Sequence, residues 1–215
     1  DFQKKIAFYG SLNGLAQALV KIAFPGVPDF YQGSELWDLR LVDPDNRGPI
    51  DFTNRIQLLQ ALCGDGEGWA VPVRELLSHW DDGRIKMFLV CKALGFRVSN
   101  PALFAQGDYI PVEASGKKKE NVFAFARRSR SAWALIAVPR LSTKLVVPGE
   151  PPIGKEVWGT NTLCLPRNAP EEWVNVFTGE RVTARESHLY LRDVFKEFPV
   201  ALLAVSSAER KLSAS

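Results

Sequence analysis

Near residue 100 the hydrophobic pattern of this chain changes its period, and no single kind of secondary structure satisfies both halves. Before that point apolar residues recur at helical spacing. In "SLNGLAQALVKIAF", Leu12, Leu15, Ala16, Leu19, Ile22 and Ala23 fall on one face. Ser11 reads as the N-cap of this helix, and Pro25 with Gly26 as its stop. "VPDFYQG" follows as a short buried strand that closes at Gly33. Asn54 reads as the cap of a helix over residues 55–62. A further helix over about 82–98 places Ile85, Phe88, Leu89, Ala93 and Phe96 together, with Pro101 just beyond its end. A helix leading directly into a short apolar strand is the repeating step of an α/β barrel or a doubly wound sheet.

After residue 100 the runs are short and β-rich. "NVFAFARRSRSAWALIAVPR" holds two of them joined by a polar turn, and "KLVVPG", "EVWGTNTLCLP", "VNVFTGERVTA" and "FPVALLAV" continue the series. Thr178, Gly179 and Glu180 form a hairpin signal between two such runs. Short strands broken by Pro and Gly point to an antiparallel sandwich. The expected fold class is therefore α/β plus all-β, with a first region over residues 1–102 and an all-β region over 103–215. A length of 215 residues accommodates one large domain or two small ones.

Charge is too mild to argue for nucleic acid, and none is expected as a partner. A formal net charge of +3 is mild, and Lys117, Lys118 and Lys119, then Arg127, Arg128 and Arg130, flank a strand-like run as solvated turn residues would. Three cysteines (Cys63, Cys91, Cys164) at wide spacing and two distant histidines (His79, His188) give little support for zinc. Buried free thiols in a reducing cytoplasm are the expectation. No apolar run spans a bilayer and no signal peptide is evident, so no membrane is expected as a partner. The chain opens with "DFQKKIAFYG", without Met, as a piece of a longer protein would.

Residues 25–52 run against the mild positive charge. This stretch carries six carboxylates (Asp29, Glu35, Asp38, Asp43, Asp45, Asp51), two arginines (Arg40, Arg47) and the aromatics Phe30, Tyr31 and Trp37. Asp43, Asp45 and Gly48 echo a calcium loop, but Arg47 and Asn54 stand where such a loop needs ligands. Carbohydrate chemistry fits the residue types better. Sugars need carboxylates and Arg for their hydroxyls and aromatic rings for their C–H faces. The competing reading is a solvated loop in which Asp43, Asp45 and Asp51 cap turns and a helix start.

"PGVPDFYQGSE" is similar to the PG-x-P-x-x-Y-x-G-x-E signature at the last barrel strand of the α-amylase family, and "DPDNRGPIDF" resembles the DP-x-x-R-x-P loop that follows it. "GRIKMFLVCKALGFRVSNPALFAQGDYIPVEASG", "VFAFAR", "PPIGKEVWGTNTLCLP", "VFTGERV" and "FPVALLAV" extend the resemblance over nearly the whole chain. It implies the C-terminal part of a (β/α)8 TIM barrel followed by an antiparallel β-sandwich domain that covers the barrel's flank. It implies an enzyme that converts the reducing-end α-1,4 linkage of a maltooligosaccharide or other α-1,4-glucan into an α,α-1,1 linkage by intramolecular transglucosylation, with no cofactor. Family chemistry uses a carboxylate nucleophile and a second carboxyl as acid and base, and water must be kept out. Those carboxylates come from earlier strands whose motifs are not in this chain, so no catalytic residue is assigned here. The resemblance assigns substrate contacts to Asp29, Tyr31, Gln32, Glu35, Trp37, Asp43, Asp45 and Arg47. The partners implied are the glucan and the N-terminal part of the same polypeptide, and an isolated C-terminal piece is expected to self-associate through uncovered apolar surface. Two alternatives stay open: another hydrolase or transglycosylase of the family, and a non-catalytic carbohydrate-binding module using Trp133, Trp158 and Trp173.

Overall fold

The computed structural model describes residues 2–39, 47–64 and 69–205. Helix α1 (Phe2–Ala23) buries Leu12, Leu15, Ala16, Leu19, Ile22 and Ala23, the face read from the sequence. It starts well before the expected cap. Tyr9 sits one turn before Leu12, is buried, and donates its hydroxyl to the Val146 carbonyl at 2.8 Å. That distant contact carries the helix through Ser11, which is no N-cap; its hydroxyl donates to the Ala7 carbonyl one turn back. Residues 27–31 are not a strand. Val27 is 94% and Tyr31 54% exposed, and among the described residues no strand runs beside them. Extended backbone becomes a strand only where a neighbour takes up its N–H and C=O groups.

Helix α2 (Phe52–Cys63) is capped by Asp51, whose carboxylate accepts from the Asn54 N–H at 2.9 Å. Asn54 is thus the third helical residue and not the cap, because a carboxylate three residues ahead of an N–H is the better acceptor. Asp51 here does what the competing reading of the acidic stretch gave it to do. Helix α3 (Val73–Ser78) and a 3₁₀ turn (Trp80–Asp82) lead into α4 (Arg84–Ser99). In α4 Ile85, Phe88, Leu89 and Ala93 are buried, while Phe96 is half-buried. Pro101 opens the short α5 (Pro101–Ala105), where a missing N–H costs nothing. No helix among the described residues is long and apolar enough to cross a membrane.

Among the described residues, those after 105 form two antiparallel sheets. The larger has strand order β1-β3-β4-β9-β6-β7 and the smaller β2-β5-β8. Their strands are β1 (Asp108–Val112), β2 (Ala114–Ser115), β3 (Val122–Ser129), β4 (Ala132–Pro139), β5 (Thr162–Cys164), β6 (Glu172–Asn175), β7 (Arg181–Thr183), β8 (His188–Tyr190) and β9 (Ala201–Val205). Short helices α6 (Gly154–Trp158) and α7 (Leu191–Val194) lie between them in the chain. Alternation along the central strands assigns each residue to a face. Phe125, Ala134, Ile136 and Leu202 pack with Leu15, Leu19, Ile85 and Phe88 of the helices. Ala126, Trp133, Leu135 and Leu203 pack on the other side with Leu163 and Leu189 of the small sheet. "KLVVPG" is not a strand: Ser142–Lys144 makes a 3₁₀ turn that delivers Val146 to Tyr9 and Leu12. The hairpin signal holds, with Gly179 at φ +75° between β6 and β7.

Arg127 corrects the surface reading of its cluster. It lies in register with Phe123 and Phe125 on the helix-facing side of β3 and is 1% exposed. Its guanidinium donates to the carbonyls of Ala23 (3.4 Å), Phe104 (3.0 Å) and Gly107 (2.8 Å). Neighbouring Arg128 points the other way, to Asp108 and over the Trp133 ring. Arg127→Ala leaves these buried carbonyls without a donor and is expected to cost about 2–4 kcal/mol, against under about 1 kcal/mol for Arg128→Ala. Urea titration of the 215-residue chain measures both. A midpoint unmoved by Arg127→Ala would show that the carbonyls find other donors.

Candidate functional site

The acidic stretch begins where α1 ends. Gly33, with φ +87°, is buried and turns the chain. Ser34 closes that turn by bonding back to the Tyr31 carbonyl through its hydroxyl at 2.6 Å. From there three groups hold residues 33–38 against the helices. Arg55 of α2 spreads its fork over three acceptors: the Glu35 carboxylate (3.2 Å), the Gly33 carbonyl (3.0 Å) and the Asp51 carbonyl (3.1 Å). It therefore ties Gly33 to Asp51, close to the end of the stretch. Lys86 of α4 donates to the Leu36 carbonyl at 3.0 Å and lies 5.8 Å from the Trp37 ring centroid. Burial holds its ammonium below the ordinary lysine range, while Asp38 and Glu35 pull it back up.

Trp37 is the third group. Its indole N–H donates to the Trp80 carbonyl at 2.7 Å, and its ring stacks on Trp80 with centroids 6.1 Å apart. Trp80 in turn meets Phe8 of α1 at 6.1 Å. Gly83 makes the close approach possible: a Cβ there would lie 3.1 Å from the Trp37 backbone nitrogen, and its φ of +76° suits glycine. Residues 33–39 and 49–55 then form the two walls of a cleft of about 430 Å³, lined by Gly33, Trp37, Asp38, Leu39, Pro49, Ile50, Asp51 and Arg55. Its size falls in the range of small-ligand sites, and its lining mixes apolar surface with carboxylates.

The residues assigned from the sequence divide into four groups. Trp37 lines the cleft, but its N–H is already engaged. Glu35 is half-buried and paired with Arg55. Asp29, Tyr31, Gln32 and Arg47 are exposed, and none of them lines the cleft. Asp43 and Asp45 lie outside the described residues. Sequence reasoning missed Asp38, Arg55 and Lys86. Arg55 was visible as an arginine one helical turn after the capping Asp51; Lys86 carries no local signal, since it is fifty residues away from the carbonyl it serves. Elsewhere Trp133, Trp158 and Trp173 are buried and form no exposed platform. The three thiols are free and half-buried rather than fully buried, and burial pushes the Cys91 thiol up. Among the described residues no cluster of His, Cys, Asp or Glu could hold a metal ion.

Arg55→Ala removes donors from two backbone carbonyls and one carboxylate, so the expected loss is about 2 kcal/mol, with Glu35→Gln costing under about 1 kcal/mol because the carbonyl bonds remain. Thermal melts and limited chymotrypsin digestion check this together. Arg55→Ala should be cut faster at Trp37 and Leu39, and digestion at the wild-type rate would show that the stretch holds its shape without the arginine.

Comparison with known proteins adds the family. No family model matches the chain. Among solved structures, a maltogenic α-amylase from Thermotoga neapolitana superposes on 89% of the chain with a TM-score of 0.53, covering 36% of that enzyme, at 14% identity. At that identity the match concerns the fold alone: the chain folds like one stretch of that enzyme. Maltooligosyltrehalose synthase from Arthrobacter ramosus matches 93% of the chain at 34% identity with a TM-score of 0.69, over 23% of its own length. A protein of Mycobacterium tuberculosis described as a putative maltooligosyl trehalose synthase is 34% identical over 196 residues, which is 91% of this chain. The chain is thus a homologue of the maltooligosyltrehalose synthases, and it spans about a fifth of the length of the curated relatives it matches.

Proposed function

We propose that this chain is the C-terminal part of a maltooligosyltrehalose synthase, an enzyme that rearranges the reducing-end α-1,4 linkage of a maltooligosaccharide to an α,α-1,1 linkage. The observation that carries the proposal is 34% identity to such proteins over nine-tenths of the chain. In this reading residues 1–102 belong to the last part of a (β/α)8 barrel, and residues 103–215 form its β-sandwich domain. The shared burial of α1, α4 and the six-stranded sheet fits such a joint. The free thiols fit a reducing, cytoplasmic setting.

Transfer without hydrolysis needs a nucleophile, an acid/base and a site that holds the released glucose away from water. In our reading the reacting carboxylates come from the preceding polypeptide. Glu35 is committed to Arg55, and Asp29 is exposed, so neither is offered as a substitute. The stretch instead forms part of the glucan site. Asp29, Tyr31, Gln32, Asp43, Asp45 and Arg47 would contact sugar, and Glu35 and Trp37 would hold the wall in shape. Exposed Phe2, Ile6, Val27, Phe52 and Ile56 would meet the preceding polypeptide, or a second copy of the chain when it is absent.

Two experiments test this. The 215-residue chain incubated with maltopentaose is expected to yield no trehalose-capped product, since removing reacting carboxylates costs many orders of magnitude. Turnover near that of the longer protein would overturn the assignment. In the longer protein, Arg47→Ala is expected to lower kcat/KM about ten- to a hundred-fold, as for a charged hydrogen bond to substrate or to a neighbouring carboxylate. Lys117→Ala, in an exposed turn, should stay within about 0.5 kcal/mol. Equal, small effects would show that the loop around Arg47 only shapes a turn.

A further inference from the structure

The geometry points to Arg97 and Arg55 as a pair of positioning residues that suspend residues 27–32 between two guanidinium clamps. The inference rests on the reading of residues 25–52 as part of a glucan site. Arg97, in the last turn of α4, donates to the Ile22 carbonyl at 2.6 Å and to the Gly26 carbonyl at 2.5 Å. These acceptors straddle the end of α1. Ile22 offers one of the carbonyls that a helix leaves without an internal partner, and Gly26 is the residue at which the chain turns away. Gly26 has φ +126°, so glycine is required there and the direction of exit depends on it. Arg55 makes the matching contact at the other end, on the carbonyl of Gly33, the second left-handed glycine. Between the two lie Asp29, Tyr31 and Gln32, all exposed. Within the span, Phe30 is steadied by the Lys21 ammonium 4.6 Å from its ring centroid.

The arrangement brings like charges together. Arg127 reaches the Ala23 carbonyl beside Arg97's own acceptor, and both guanidiniums lie within 6.0 Å of the Phe104 ring centroid. The negative end of the α1 dipole favours a cation here, and capping that helix end needs only one. Arg97 does more than cap, because its second arm reaches past the helix to Gly26. A guanidinium fork can hold two carbonyls in fixed relation, which a lysine ammonium cannot match. A segment fixed at both ends presents its polar side chains to a sugar without the ordering cost a free loop would incur at binding.

The test uses the longer protein, with Arg97→Ala, Arg97→Lys and Leu163→Ala. Leu163 is buried in the three-stranded sheet, away from the clamps, and serves as the stability control. Expected for Arg97→Ala is a fall in kcat/KM of tenfold or more on maltopentaose, carried mainly by KM. Amide exchange over residues 27–32 should speed up at least tenfold, with Arg97→Lys between it and the wild type. Leu163→Ala should lower the melting temperature at least as much while leaving kcat/KM and exchange in this segment within twofold. A tenfold loss shared by Leu163→Ala, faster exchange with unchanged kcat/KM, or no change in either would each overturn the positioning role. If Arg97→Ala does not fold, Arg97→Lys against Leu163→Ala decides by the same criteria. A wild-type protein inert on maltopentaose would instead overturn the functional reading on which this inference stands.

Discussion

The six-stranded sheet has no free face at its centre, and the rest of the structure is organised by that fact. In β4, Ala134, Ile136 and Val138 look toward the helices while Trp133, Leu135 and Ala137 look toward the small sheet. A strand buried on both faces has to be covered twice, so helices and small sheet are both needed to keep it out of water. The long apolar face of α1 supplies one cover. Leu163 and Leu189, from strands of only three residues each, supply part of the other. The β-rich region beyond residue 100 thus shares its core with the helical region before it.

Such a core leaves the last carbonyls of α1 against β3 and α4, with Ile22 and Ala23 themselves buried. Arginines from two different elements donate to them, Arg127 from β3 and Arg97 from α4. Arg97 also bonds the Gly26 carbonyl, just past the helix, where the acidic stretch begins. The end of α1 and the start of the acidic stretch thus share their hydrogen bonds with the core, while Arg55, Lys86 and Trp37 hold the cleft further along. The cost is two guanidiniums held near each other, and burial and mutual repulsion both depress the Arg127 pKa.

Much of this was legible locally. Leu12, Leu15, Leu19 and Ile22 announce the face of α1 by spacing alone, and the two apolar runs around "RRSRS" announce β3 and β4. The turn at Gly179 follows from the residue type. The boundaries were less legible. Ser11 looks like a cap until Tyr9 is seen to bond Val146, which is 137 residues away. Residues 27–31 have a strand's composition, yet composition does not provide a ladder partner. In the site, the stretch rich in acids and aromatics stood out at once, whereas Lys86 and Trp80, which hold it, are ordinary residues of a helix and a turn.

The sequence by itself determined the change from helix to strand near residue 100, the composition of the candidate site and the kinship to maltooligosyltrehalose synthases, because periodicity, residue type and identity are properties of the string. Tertiary structure alone decided which charges are buried and which acceptors they serve. Arg127 and Arg128 are adjacent and identical in type, but one faces the helices at 1% exposure and the other faces Asp108 at the surface. Their difference lies in which side of β3 each occupies and what packs there, and a strand's inner face is defined only once its neighbours are in place.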